Sequence, residues 1–149
     1  MRFSVALLAG ILLLGLGPAS AQSPSAWSYA YQDGWVTATE RNAEGEVTAM
    51  FSCRPPDGEL EIADYELKRS GNVRIQIGDF AYETRGRVER ARDGRRALIV
   101  RMEQSPPVLA GGYARNAQMT LTVGNRSRTL SPGGGARIHE VAVACWNAT

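Results

Sequence analysis

The chain reads as a mainly β protein, an antiparallel meander of short strands forming a small barrel or sandwich. A short helix is expected near 107–115 and a second near 136–145. Three observations lead there. Apolar residues alternate with polar ones over runs of five to seven residues, as in Val73, Ile75 and Ile77 with Arg74 and Gln76 between them. Turn chemistry recurs between those runs at close spacing. The chain holds only two cysteines, Cys53 and Cys145, each on the apolar side of its segment.

The amino-terminal 21 residues stand apart. Arg2 supplies a positive start, Val5 to Leu16 is an apolar run broken only by glycine, and Ala19-Ser20-Ala21 is a small-x-small cleavage site. Residues 1–21 are therefore expected to be a secretory signal peptide, and the protein periplasmic or secreted. The apolar run is too short for a membrane span, and no span is expected after cleavage. Residues 22–26 read as a flexible leader, and 27–149 as one β-rich domain. Charge is nearly balanced, with 17 Lys and Arg against 15 Asp and Glu. No global field recruits nucleic acid.

The elements follow in order. Trp27, Tyr29 and Tyr31 alternate, Asp33-Gly34 turns, and Trp35, Thr37 and Thr39 alternate back in an aromatic-rich hairpin. Asn42 to Gly45 turns into a strand whose inward row is Val47, Ala49, Phe51 and Cys53. Pro55 to Gly58 turns into Leu60 and Ile62, and Ser70-Gly71-Asn72 leads to the Val73 strand. Gly78-Asp79 suits a type II′ turn into Phe80 and Tyr82. At Arg92-Asp93-Gly94 a two-residue turn would set Glu89 opposite Leu98. A three-residue loop with Gly94 left-handed sets Val88 opposite Leu98 and Gly86 opposite Val100, and only this register keeps one face apolar. Pro106-Pro107 opens the first expected helix. Met119, Leu121 and Val123 form a strand, and Gly124-Asn125 turns into Arg128 to Leu130.

The last segment admits two readings. Val141, Val143 and Cys145 alternate as in a strand. Ile138, Val141, Ala142 and Cys145 fall on one helical face, and only the helix keeps Ile138 with the rest. Both readings turn Cys145 inward. Two inward cysteines in an exported chain are most simply a disulfide, Cys53–Cys145.

An early aromatic strand, Ser52-Cys53, a later strand, the run Leu130-Ser131-Pro132-Gly133-Gly134-Gly135-Ala136 and an apolar ending at Cys145 together form a layout. It resembles a group of small exported bacterial β proteins, among them the invasion-associated locus B family and the type VI secretion-associated VasI-like proteins. The resemblance covers most of residues 27–146 as a pattern. Cys53, Cys145 and Gly133 to Gly135 carry over, in structural roles. It implies a non-enzymatic envelope protein involved in secretion or host interaction.

Two surfaces are candidates for binding, and the partner expected is an envelope protein or an anionic polymer. Arg85, Arg87, Arg90, Arg92, Arg95 and Arg96 cluster on one hairpin, interleaved with Glu83, Glu89 and Asp93. They suit phosphate-bearing polymer or an acidic protein. A solvated outer face is the plainer account. The second surface is the run Ser131 to Arg137. It resembles the Ser-Gly-rich loop with a basic residue that small periplasmic lysozyme inhibitors of the membrane-bound/periplasmic C-type group insert into an acidic cleft. Here Ser131, Gly133, Gly134, Gly135 and Arg137 would form an inhibitory loop, although Ile138 stands where tyrosine is expected. A flexible connection is the simpler reading.

The aromatic set Trp27, Tyr29, Tyr31 and Trp35 suits a glycan platform, or more simply core and cross-strand packing. His139 is the single histidine, too few for a multi-histidine metal site, and is expected to be an exposed helical residue. No nucleophile elbow, phosphate loop, dinucleotide fingerprint or zinc-type cysteine spacing occurs. No cofactor, no metal and no catalytic residue is assigned, and an enzyme is the class least expected.

Overall fold

The computed structural model describes residues 26–55, 59–103 and 116–146. The expected signal peptide, most of the expected leader and the helix expected near 107–115 lie outside the described residues. Among the described residues nine strands form a single antiparallel sheet: β1 Trp27–Gln32, β2 Trp35–Arg41, β3 Val47–Cys53, β4 Glu59–Asp64, β5 Gly71–Ile77, β6 Phe80–Arg90, β7 Arg96–Glu103, β8 Met119–Val123 and β9 Arg126–Thr129. A helix follows, α1 Gly134–Trp146. The sheet is a curled half-barrel, with α1 packed on the concave side of β1, β2 and β3.

The strand order is β1-β2-β3-β4-β7-β6-β5-β8-β9. Neighbouring strands in the chain pair wherever a short turn joins them. Between these runs the order departs from a simple up-and-down meander: β4 pairs with β7, and β5 with β8. The β5-β6-β7 unit is therefore inserted in reverse. Asp64 marks the first departure. Its Oδ1 accepts the backbone N–H groups of Glu66 and Leu67, which ends β4 in a local turn instead of a hairpin.

The turns obey the local chemistry. Asp33 and Gly34 both take positive φ, 53° and 77°, in a two-residue connection of type I′ form. Gly78 is left-handed and Ile77 pairs with Phe80, in keeping with type II′. The β6–β7 register sets Val88 opposite Leu98 and Gly86 opposite Val100, with Gly94 at φ 81°. Gly86 also answers a steric demand. A Cβ there would sit 2.6 Å from Val73 Cγ2 and 2.7 Å from Leu98 Cδ1.

The concave face carries the main core. Val36 and Ala38, Phe51, Leu60 and Ile62, Val73 and Ile75, Leu98 and Val100, and Leu121 all sit there, sealed by Ile138, Val141 and Ala142 of α1. Trp27 stacks on Phe51 with ring centroids 4.9 Å apart. The carboxy-terminal segment is thus the helix, beginning two residues earlier than expected. Cys145 is disulfide-bonded to Cys53, with Cα atoms 6.2 Å apart, within the ordinary span of such a bond. A smaller cluster, Ala63, Tyr65, Ala91, Ala97 and Ile99, lies on the convex face.

Candidate functional site

No described backbone pairing joins β1 to β9, so the half-barrel is drawn together by side chains. Arg128 on β9 faces the concave side opposite Leu121. Its guanidinium donates to the carboxylates of Glu40 on β2 and Asp64 at the end of β4 and to the carbonyl of Thr48, and its Nε meets Glu66 at 2.8 Å. Glu40 also accepts the backbone N–H of Ser131 and the hydroxyl of Thr48. The indole N–H of Trp27 donates to the carbonyl of Ser131 at 3.2 Å. Glu40 is 2 % exposed and Asp64 fully buried. Burial pushes the Glu40 carboxyl up, but the Ser131 and Thr48 hydrogen bonds and the Arg128 charge outweigh it and hold the group below its ordinary value. Every contact here is an internal one, so this is a clasp and its work is structural. Sequence reasoning missed it. The signal was present: Glu40 continues the inward row of Val36 and Ala38, and Asp64 that of Leu60 and Ile62.

The six hairpin arginines do not form one patch. The tip of β6–β7 folds over the convex face. There the Arg92 guanidinium lies 3.8 Å from the centroid of Trp35, and that of Arg95 lies 3.9 Å from Tyr65. Arg95 also donates to Asp93 and to the carbonyl of Val47. Arg90 donates to the carbonyl of Gly94 and pairs across the hairpin with Arg96. Arg85 and Arg87 stand exposed on the convex face of β6, beside a hollow of about 310 Å³ bounded by Ser70, Gly71 and Asn72. The hairpin acids do not neutralise them. Glu83 faces Arg74 at 3.5 Å, Glu89 binds Arg101 at 3.1 Å and Asp93 binds Arg95. Among the described residues neither Arg85, Arg87 nor Arg96 has an ion-pair partner.

The glycine-rich run is no projecting loop. Gly134 and Gly135 are buried in the first turn of α1. A Cβ at Gly134 would meet Trp27 Cζ2 at 3.3 Å. The glycines let the helix start close against Trp27. Gly133, at φ 96°, makes the bend that precedes it. Ser131 belongs to the clasp, and Arg137 pairs with Glu140 one turn on. This geometry offers no support for insertion into an enzyme cleft.

The aromatic set is divided in the same way. Trp27 is core and Trp35 carries Arg92. Tyr29 and Tyr31 are 45 % and 70 % exposed. His139 is half-buried, not exposed: helix α1 turns it toward Tyr29, with which it lines a groove, and its Nδ1 is buried without a hydrogen-bond partner. Among the described residues no group of three or more His, Cys, Asp or Glu is placed to hold a metal ion. No described helix is long and apolar enough to cross a membrane.

No family model matches the chain, and no curated protein matches it either. Among solved structures the fold is similar to that of invasion associated protein B from Bartonella henselae. The two share 12 % sequence identity, and the match spans 82 % of this chain and 94 % of that one with a TM-score of 0.50. The resemblance read from the layout of strands, glycines and cysteines thus holds at the level of fold, and the chain has the architecture of that invasion associated protein.

Proposed function

We propose that the protein is an exported, non-catalytic binding component of the cell envelope, periplasmic or secreted, that engages an anionic partner through the β6–β7 hairpin. The observation that carries the reading is the allocation of charge. The hairpin's three acids are spent on Arg74, Arg101 and Arg95, which leaves Arg85 and Arg87 adjacent, outward and uncompensated. Two guanidiniums in that state offer charge-assisted hydrogen bonds to phosphate or carboxylate. The disulfide, the signal-type amino terminus and the fold shared with an invasion associated protein support an extracytoplasmic setting.

The test is capture from envelope extract, with the protein and an Arg85→Glu/Arg87→Glu variant run side by side at low and high salt. The variant should keep its folding transition, since neither side chain is packed, and should lose the partner. Binding by the parent should weaken steeply with salt. An identical catch by both proteins would remove the convex face from consideration. Arg95 is a poor probe, because its ring stack and its bond to Val47 tie it to the fold.

A further inference from the structure

A second feature of the same hairpin lies at its loop end. A cleft of about 480 Å³ runs between the start of β3, the corner after β4 and the β6–β7 loop. Four cations border it: Lys68, Arg90, Arg95 and Arg96. Two are fixed beforehand. Arg95 is held by the Tyr65 ring, Asp93 and the carbonyl of Val47, and Arg90 by the carbonyl of Gly94. Two are uncommitted, since Lys68 and Arg96 have no ion-pair partner among the described residues. Of the bordering acids, Glu66 pairs with Arg128, and Glu46, which accepts the side-chain amide of Asn42 at 3.3 Å, keeps its charge, so the four cations still outnumber the free acid.

We propose that this cleft binds a phosphate group carried on a larger molecule, held as a dianion among Lys68, Arg90, Arg95 and Arg96. The excess of cations over free acids favours a dianion over a single carboxylate. Guanidiniums locked in advance lower the ordering cost of binding. Tyr65 adds to the case. It is 8 % exposed and lines the cleft, where its ring lies 3.9 Å from the Arg95 guanidinium and its hydroxyl sits beside Asp93. Burial first, and the Asp93 carboxylate second, push its pKa up to about 12. The proposal rests on the reading of the hairpin as a recognition surface, but it uses different residues from Arg85 and Arg87.

The test is an NMR titration of the purified protein with inorganic phosphate, with acetate as the monoanion control, in low salt at pH 7.5. Saturable shifts confined to the backbone of residues 65–68 and 93–96 are expected. A Lys68→Ala/Arg96→Ala variant should weaken binding about tenfold or more, and Arg85→Glu/Arg87→Glu should leave it unchanged. Flotation with phosphatidic acid vesicles against neutral vesicles separates a lipid source from a soluble one: flotation assigns the phosphate to a lipid, and its absence beside saturable phosphate shifts assigns it to a soluble molecule. Shifts that fail to saturate, that are matched by acetate, or that persist in the double alanine variant would overturn the cleft. If the cleft fails while Arg85→Glu/Arg87→Glu still loses its envelope partner, the convex face stands alone. If phosphate binds but no partner is captured, the cleft stands and the convex face falls.

Discussion

Arg128 is the side chain on which most depends. It is surrounded by three carboxylates, two of them buried. Replacing it with alanine strands Glu40 and Asp64 in the core without a counter-charge, which costs about 3–5 kcal/mol for a broken buried pair. Urea unfolding of Arg128→Ala should show that loss, whereas Arg126→Ala, exposed on the same strand, should stay within about 0.5 kcal/mol of the parent. Gly86 makes a different demand. Gly86→Ala forces a methyl group into Val73 and Leu98, and overpacking of this kind costs about 1–3 kcal/mol. The glycine's place opposite Val100 was legible from the register. Its lack of room was not, because that depends on Val73 of a neighbouring strand.

At the scale of elements, α1 is held by its apolar face and by Cys145. The helix is 13 residues long, a length that is marginal in isolation. Its stability comes from Ile138, Val141 and Ala142 against the sheet and from the covalent tie to β3. The cysteines are 92 positions apart. By the chain-entropy account, removing a cross-link of that span costs about 4–5 kcal/mol. A Cys53→Ala/Cys145→Ala variant should therefore lose a large fraction of total stability in a denaturant titration, and adding reductant to the parent should approach the same midpoint. Helical phase in the sequence was sufficient to place this element, because Ile138 fits a helical face and not the strand alternation. The start at Gly134 was not legible, since glycine is a poor helix former and only contact with Trp27 rewards it there.

For the whole molecule, the consequence of clasping the half-barrel with side chains is acid sensitivity. Glu40 is held below its ordinary pKa of 4.5 by its hydrogen bonds and by Arg128, against the opposing pull of burial. A carboxyl depressed in the folded state contributes stability that is fully present above its unfolded value. That contribution is lost as pH falls through the lower folded value. Stability should therefore be flat near neutrality with respect to this group and decline below about pH 4.5. Hydrogen exchange should report the decline first in β9 and the start of α1, which the clasp secures, and last in β7 and β6 at the middle of the sheet. Uniform loss of protection across all strands would show that the clasp does not act as a separate closing element.

Local chemistry was enough for much of this protein. Alternation identified the strands, glycine and aspartate identified the turns, one apolar face identified α1, and inward phase at Cys53 and Cys145 identified the disulfide. These follow from the sequence because side-chain periods of two and 3.6 residues and the demand for positive φ are local properties. The tertiary structure alone decided the rest. The order of strands after β4 depends on Asp64 ending that strand in a turn. The division of the arginine cluster depends on the hairpin tip folding over Trp35 and Tyr65, residues far away in the chain. The meeting of Arg128 with Glu40 and Asp64 depends on the curl of the sheet, which brings its two open ends within reach of one side chain.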